Sequence, residues 1–319
     1  MGDRTPISLV LFHRNFQRFQ GGHLKVFHYF GHVRSSPSHD ARVRLSPDSV
    51  WDESNPWWDS PDAVLGPHEE ITPDVLFLAG MDWRALEPQQ RSRSHVPIIN
   101  LVQDFRAVRE DGPLRGFLAH RAIRICVSEQ IAEALQGRAS PEGMVLTVPI
   151  AIDLAQLPPS RPPQERGTDC VVLAFKDPPL GRAIARRITA SGHRVRVLDS
   201  PLPRAHLLDA MADARVSVHL PASVEGAYMP ALESMALGTV VVCPDAVGNR
   251  GFCRDGDTCL VPRRRKRAIV HAALSALRAS PEELQPMLSS AREETMRRAL
   301  PNERTRFLEI LDGARELWG

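Results

Sequence analysis

The chain has 319 residues, more than one ordinary hydrophobic core holds, so the length favours two domains. With 43% hydrophobic and 24% charged residues the composition is globular, and a net charge of +2 argues against a nucleic-acid-binding protein. No signal peptide is recognisable, and no apolar run reaches the roughly 20 residues that span a bilayer. Five irregularly spaced cysteines indicate reduced thiols, so we expect a cytoplasmic protein.

The first half of the chain alternates short apolar runs with helical patterns, which is typical of an α/β domain. A glycine pair, Gly21-Gly22, predicts a turn before a helical pattern from Leu24 to Val33, and Ser128 is expected to cap a later helix. The segment 46–62 is predicted to be a loop. The predicted strands are Ile7 to Phe12, Ala41 to Leu45, Val75 to Ala79, Ile98 to Val102 and Ile123 to Val127, and the apolar run Met144 to Val148 closes the half.

A proline-rich segment, residues 154–168, can form neither helix nor sheet, because proline removes a backbone donor and fixes φ. After it the α/β alternation restarts, and the chain is helical from about residue 266. The pattern predicts two Rossmann-like domains, 1–153 and 154–319, facing a cleft. The predicted elements of the second half are strands Cys170 to Phe175, Val195 to Leu198, Val216 to Leu220 and Val240 to Val242, helices Arg182 to Ala190 and Ala205 to Ala214, and helices beginning at Pro281 and Pro301.

Two glutamates bracket the turn that follows the strand Val216 to Leu220. Glu225 lies on the loop, and Glu233 lies about one turn inside the next helix. Ligands of open α/β sheets bind outside the carboxyl ends of the strands, and the free amides of a helix N-terminus attract phosphate. The residues alone leave open whether these acids bind a ligand's hydroxyl groups or are solvated helix acids. The amides in question belong to Gly226, Ala227, Tyr228 and Met229.

The segment from Glu225 to Gly238, EGAYMPALESMALG, resembles the Glu-x7-Glu signature of the retaining GT-B glycosyltransferases of family 4, or glycosyl transferases group 1. The next segment, TVVVCPDAVGNRGFCRDGDTCLVP, is also similar to that family, as are ICVSEQIAEAL and VPIAIDLAQL in the first half. The resemblance implies a GT-B fold. It assigns acceptor binding to residues 1–153 and nucleotide-sugar binding to 154–319, with the C-terminal helices packing back toward the first domain.

The resemblance also implies roles for individual residues. Glu225 would contact hydroxyls of the donor sugar, and Glu233 would hold the nucleotide ribose. Lys176 and Arg182 would neutralise the leaving diphosphate, so that no metal or other cofactor is expected. The implied reaction moves a sugar from a nucleotide sugar to a glycan, lipid-linked or small-molecule acceptor with retention of configuration. The implied donor-binding residues are Gly21, Gly22, Gly226, Ala227, Tyr228, Met229 and Glu233.

Three departures from the family pattern affect this interpretation. Tyr228 stands where the family has a second glycine, so we expect a reshaped donor pocket, and the segment 248–252 lacks the family's acid. Gln103 stands where the family often has a histidine in its first domain. The candidate acceptor-binding residues are therefore its neighbour Asp104 and the tryptophans Trp57 and Trp58, which could stack on a sugar. A satellite hydrophobic cluster explains the tryptophans equally well.

Weaker signals have structural explanations. His28 and His32 share a helix face but no acid or cysteine joins them, so a metal site is not expected. Cys243, Cys253 and Cys259 have the wrong spacing for a zinc site. The basic segment 263–267 leaves peripheral contact with the inner face of the membrane open.

Two other functions remain compatible with the same fold. One is a GT-B-like nucleotide-sugar epimerase or phosphorylase, and the other is a catalytically inactive partner subunit. Product analysis with donor alone would distinguish the epimerase, because only that enzyme forms an epimer without an acceptor.

Overall fold

The computed structural model describes residues 8–66 and 68–319, so Ile7 of the first predicted strand lies outside the described residues. The described chain contains ten strands: β1 (Ser8–Arg14), β2 (His39–Leu45), β3 (Val75–Ala79), β4 (Ile98–Val102), β5 (Ile123–Cys126), β6 (Met144–Thr147), β7 (Thr168–Leu173), β8 (Val195–Leu198), β9 (Ala214–His219) and β10 (Val240–Val242). Its helices are α1 (Gly21–Arg34), α2 (Pro88–Ser92), α3 (Glu129–Leu135), α4 (Pro178–Thr189), α5 (Arg204–Ala212), α6 (Met229–Ala236), α7 (Lys266–Arg278), α8 (Pro281–Arg297), α9 (Leu300–Asp312) and α10 (Ala314–Trp318). None of these helices combines the length and apolarity that crossing a bilayer requires.

The strands form two parallel sheets, which confirms the predicted α/β class. The first sheet has the order β2-β1-β3-β4-β5-β6, and the second has the order β10-β9-β7-β8. β3, β4 and β5 are buried along their whole length, as expected for parallel strands covered on both faces. Each sheet has one point where successive strands are added in opposite directions. These topological switch points lie between β1 and β3 and between β7 and β9.

The chain divides into two compact units, which are described separately. Unit 1 contains the described residues up to Pro149 together with Pro301–Gly319, and unit 2 is Ile150–Leu300. Unit 1 holds the six-stranded sheet and unit 2 holds the four-stranded sheet. The predicted boundary lies four residues later, at 153/154. Ile152 belongs to unit 2 because its side chain is buried in the core around α6.

The largest shifts between predicted and observed elements lie at helix starts. α4 begins at Pro178, four residues before the predicted Arg182, because the Asp177 side chain caps the helix and accepts the Leu180 N–H at 3.2 Å. α1 begins at Gly21, so the glycine pair opens the helix instead of forming a separate turn. Ser128 caps α3 as predicted, accepting the Ile131 N–H.

The C-terminal segment contributes a buried ion pair to unit 1. Lys25 on α1 is fully buried, and its Nζ lies 2.7 Å from the carboxylate of Glu303 on α9. His32 Nε2 is 2.9 Å from the same carboxylate. Burial alone would raise the pKa of Glu303, but Lys25 and His32 hold it below its usual value. Residues 278 positions apart therefore complete one charged cluster in the interior of unit 1.

A second cluster of charges holds unit 2 together around Glu294 on α8. Its carboxylate accepts hydrogen bonds from Arg254 at 3.0 Å, Arg297 at 2.7 Å and Arg298 at 2.6 Å. Burial would raise the pKa of Glu294, but these three arginines outweigh it and lower the pKa to about 2. An acid whose pKa falls on folding stabilises the native state above its unfolded pKa, and that contribution disappears as the pH falls toward the folded value.

Glu294→Gln is therefore expected to destabilise unit 2 at pH 7, with a difference from the wild type that narrows as the pH falls from about 5 toward 3. The glutamine cannot be ionised, whereas in the wild type the carboxylate of the unfolded chain takes up a proton over this range and the folded carboxylate, with a pKa of about 2, stays charged. Urea unfolding followed by far-UV circular dichroism at several pH values measures the difference. The exposed Glu293→Gln variant is the matched control and should follow the wild type at every pH. A gap between Glu294→Gln and wild type that does not depend on pH would contradict this account.

Candidate functional site

Two of the predicted site residues meet at the switch point of the second sheet. Lys176 follows β7 and Glu225 lies on the loop after β9, and both strands end at the same edge of the sheet. The Nζ of Lys176 is 3.7 Å from Oε1 of Glu225. The lysine side chain is 54% exposed and that of the glutamate 18%. The pair therefore presents a cation and an acceptor to the same solvent-accessible place, where open α/β sheets bind ligands.

Backbone contacts hold the Glu225 loop in place. Glu225 Oε1 accepts the Ala222 N–H at 3.0 Å, and the Glu225 carbonyl accepts the Gly248 N–H at 2.9 Å. A Cβ on Gly248 would lie 1.9 Å from the Gly226 carbonyl oxygen, closer than any real Cβ contact. Glycine is therefore required at 248 by the close approach of two backbone segments.

Two residues for which no site role was predicted also position this loop. Asn249 Oδ1 accepts the Tyr228 N–H at 2.8 Å. Arg264, part of the basic segment, donates to the Pro221 carbonyl at 2.6 Å and the Asp245 carbonyl at 3.2 Å. Their partners lie 19 to 43 residues away in the chain, so local sequence patterns do not reveal either role.

Helix α6 begins directly after this loop. Of the four amides predicted to bind an anion, that of Tyr228 is occupied by Asn249. Within the described residues, the amides of Gly226, Ala227 and Met229 donate no hydrogen bond. The first turn of α6 contains no acid, so its N-terminus retains a partial positive charge. This arrangement can accept a phosphate or another anionic group.

The side chain of Tyr228 points into the core of unit 2. It is 7% exposed and packs edge-on against His219, with ring centroids 5.8 Å apart. Its hydroxyl has no hydrogen-bond partner in the described part of the chain. Burial, followed by the nearby Cys243 and Glu225, raises the pKa of Tyr228, so the phenol stays protonated. The core of unit 2 thus accommodates the side chain of Tyr228.

Glu233 is buried inside α6 and is held by a cation. Its side chain is 1% exposed, and Oε1 accepts a hydrogen bond from Arg204 at 2.6 Å. The other oxygen, Oε2, has no partner among the described residues. Arg204 is the first residue of α5, 29 residues earlier, and no sequence pattern indicated its role. A buried carboxylate oxygen without a donor needs a partner that the described chain does not supply, such as a water molecule or a hydroxyl group of a ligand.

Arg182 lies on α4 and pairs with Asp199, which follows β8, at 2.6 Å. Among the described residues, its ion pairs and hydrogen bonds include neither Lys176 nor Glu225. The structure therefore brings together Lys176 and Glu225, and separately Arg204 and Glu233. Arg182 is half exposed, and a diphosphate would have to compete with Asp199 for its guanidinium group.

The candidates of unit 1 occupy different environments. Gly22 lies against Gln103, whose Nε2 donates to the Gly22 carbonyl at 3.2 Å. Asp104 accepts hydrogen bonds from the backbone and side chain of Arg106 at 2.8 and 2.7 Å. Trp57 is fully buried and packs edge-on against Phe27 and Phe30. Such burial favours the structural explanation of Trp57.

Trp58 remains exposed. Its side chain is 42% accessible and its ring centroid is 5.3 Å from that of Trp51. This exposed indole pair can offer a face to a sugar ring, which Trp57 cannot do from the core.

The histidine and cysteine candidates have structural environments. His32 is paired with Glu303, and His28 Nδ1 lies 3.5 Å from Lys25 Nζ. Hydrogen bonding with Cys243 and Cys259, together with burial, raises the pKa of the Cys253 thiol well above its usual value. All five cysteines are free thiols. No group of three or more His, Cys, Asp or Glu in residues 8–66 and 68–319 is arranged to hold a metal ion.

Comparison with solved structures identifies the architecture. HepE of Anabaena, solved with UDP and glucose, superposes with a TM-score of 0.74 at 12% identity over 96% of this chain and 100% of that chain. Sucrose-phosphate synthase of Thermosynechococcus elongatus gives a TM-score of 0.72 at 14% identity over 96% and 98%. The fold is GT-B. A putative UDP-N-acetylglucosamine 2-epimerase of Listeria monocytogenes shares this GT-B fold, with a TM-score of 0.64 at 15% identity over 97% of both chains.

Comparison by sequence finds a match for one segment of the chain only. Residues 163–279 match the family model described as glycosyl transferases group 1, and this segment lies wholly within unit 2 of the GT-B fold. None of the curated proteins compared with this chain by sequence is a match. The matched segment contains Lys176, Arg204, Glu225 and Glu233.

Proposed function

We propose that this GT-B protein transfers a sugar from a nucleotide-sugar donor to an acceptor, with retention of configuration at the anomeric carbon and without a metal. The observation that carries the proposal is the approach of Lys176 to Glu225 at the carboxyl ends of β7 and β9. Such a transfer leaves negative charge on a diphosphate. A fixed cation stabilises the diphosphate, and a neighbouring carboxylate accepts hydrogen bonds from the sugar hydroxyls. The pair therefore suits both halves of a nucleotide sugar. The match of residues 163–279 to glycosyl transferases group 1 supports the same reaction class.

The proposed roles follow the environments of the side chains. Glu225 accepts hydrogen bonds from donor-sugar hydroxyls, and Lys176 stabilises the leaving diphosphate with the help of Arg182. Glu233 binds the ribose through Oε2, the oxygen that Arg204 leaves available. Free amides at the start of α6 add to the positive potential around the phosphates. The remaining proposed contacts are Gly21 and Gly22 for the donor, and Asp104 and Trp58 for the acceptor, while the buried Trp57 has a structural role.

A nucleotide-sugar epimerase is the second candidate, favoured by the structural likeness to the putative 2-epimerase. It would use the same donor site and need no acceptor. An inactive partner subunit would keep the fold and turn over no donor.

One experiment separates these functions. The purified chain is screened by thermal shift against nucleoside diphosphates and nucleotide sugars, and the donors that bind are incubated alone and with an acceptor panel. A ligand that binds only the native state at 100 times its Kd raises the stability by about 2.7 kcal/mol, which the shift detects. We expect nucleotides with one particular base to raise the melting temperature of the protein. We also expect sugar transfer that requires an acceptor. An epimer formed from donor alone would identify an epimerase, and binding without any turnover would identify an inactive subunit.

A further inference from the structure

A cavity of about 980 Å³ opens in unit 1 at the switch point of the first sheet. Its walls come from the ends of β1 and β3, from the start of α1 and from residues 103–114. All of the lining residues belong to unit 1. The volume lies in the range of small-molecule sites, and it exceeds what a single phosphate group needs.

The side chains that line this cavity include more basic than acidic groups, even with its two histidines counted as neutral. Burial, followed by the charge of Arg44, lowers the pKa of His13 to about 4, and burial together with Arg14 lowers that of His23 to about 4. Both imidazoles are therefore neutral at pH 7. The charged lining residues are five arginines against two aspartates: Arg14, Arg44, Arg84, Arg106 and Arg109, with Asp82 and Asp111. Arg106 and Arg109 are ion-paired with Asp104 and Asp111, so the excess of positive charge lies with Arg44 and Arg84 and favours an anionic ligand.

The arginines differ in how far they are already engaged. Arg14 is buried, ion-paired with Asp82, and donates to His23 Nδ1 at 2.7 Å. Arg84 lies on the short 3₁₀ turn Gly80–Ala85 and is exposed. Within residues 8–66 and 68–319, Arg84 forms no ion pair or side-chain hydrogen bond. Its guanidinium group is therefore available to a ligand, in a wall that the Arg14–Asp82 pair holds in place.

A second group in the cavity also lacks a partner. His13, at the end of β1, is 8% exposed and lines the cavity, yet its ring forms no hydrogen bond within the described residues. Gly22 brings the N-terminus of α1 to the cavity wall, and the first turn of that helix contains no acid. A neutral imidazole can accept or donate a hydrogen bond to a hydroxyl group, while the helix end favours a negative charge.

We propose that this cavity binds the acceptor of the reaction, and that the acceptor is a hydroxyl-bearing molecule with a phosphate or carboxylate group. The inference rests on the proposed transferase function and defines its acceptor class. Arg84 binds the oxyanion, because the guanidinium fork matches the geometry of both groups. His13 binds an acceptor hydroxyl.

The test measures binding of acceptor-like probes without donor. Isothermal titration calorimetry on the full chain compares hexose 6-phosphates, hexuronates and their neutral parent hexoses. We expect one charged class to bind and the neutral hexoses to bind at least about tenfold more weakly, and Arg84→Ala to reduce the affinity for the charged probe by about tenfold or more. Arg93→Ala, an exposed arginine of unit 1 outside the cavity, should bind as the wild type does. Comparing the hexose 6-phosphates with the hexuronates identifies whether the cavity prefers a phosphate or a carboxylate.

Two results would overturn the inference. One is equal binding of charged and neutral hexoses, or binding of neither. The other is an Arg84→Ala variant that loses affinity for the nucleoside diphosphate and not for the charged hexose, which would assign the cavity to the donor. Failure of the transferase proposal has a different signature: no sugar would pass from any nucleotide sugar to an acceptor, while the calorimetry would still show whether the charged hexoses bind the cavity.

Discussion

Replacing Lys176 by alanine is expected to lower kcat for sugar transfer by about 10²–10³-fold, the usual effect of removing one group that stabilises developing charge. The reason is that negative charge grows on the diphosphate only as the glycosidic bond breaks. The ground state loses little, because the exposed contact with Glu225 contributes about 0–1 kcal/mol. Steady-state kinetics should therefore show a loss in kcat with a smaller change in KM, and a Tm close to that of the wild type.

Lys266→Ala is the matched control for this experiment. Lys266 is an exposed lysine of unit 2 at the start of α7, outside the proposed site, and its removal should leave kcat unchanged. Lys176→Arg should recover part of the activity, because the charge is kept with a different shape. If Lys176→Ala retains kcat within about threefold of the wild type, Lys176 does not stabilise the leaving group.

The second large effect concerns stability. Lys25→Met is expected to destabilise unit 1 by about 3–5 kcal/mol, because it leaves the buried Glu303 carboxylate without its main cation. All five tryptophans (Trp51, Trp57, Trp58, Trp83 and Trp318) lie in unit 1. Denaturant unfolding followed by tryptophan fluorescence therefore reports this unit specifically.

A double variant tests the electrostatic cause. Lys25→Met combined with Glu303→Leu removes both charges and should be more stable than Lys25→Met alone, because no uncompensated charge stays buried. Lys266→Met, in unit 2, is the control whose fluorescence transition should match the wild type. A double variant less stable than either single variant would show that packing, and not charge, accounts for the loss.

The sheets could be predicted from the sequence because buried parallel strands are continuous apolar runs. β3, β4, β8 and β10 have the predicted bounds, and each other strand overlaps an apolar run. Helix starts were harder to predict, because they depend on capping. Asp177 before two prolines resembles a loop, although its side chain caps α4.

The candidate site was predictable only in part. Glu225 and Glu233 could be found because they bracket a strand-to-helix turn. Arg204 and Asn249 could not, because each reaches its partner from a segment more than 20 residues away. Likewise, a lysine in the apolar pattern of α1 gives no sign that a glutamate 278 residues later will neutralise it.

That separation has a consequence for how the protein is made. Domains generally fold as units during synthesis, from the N-terminus onward, at about 5–20 residues per second. Unit 1 cannot do so completely, since Lys25 is translated about 15–60 s before Glu303 at that rate. During this interval α1 carries a lysine whose final environment is incomplete, while unit 2 emerges from the ribosome. The nascent chain must therefore finish its second unit before its first.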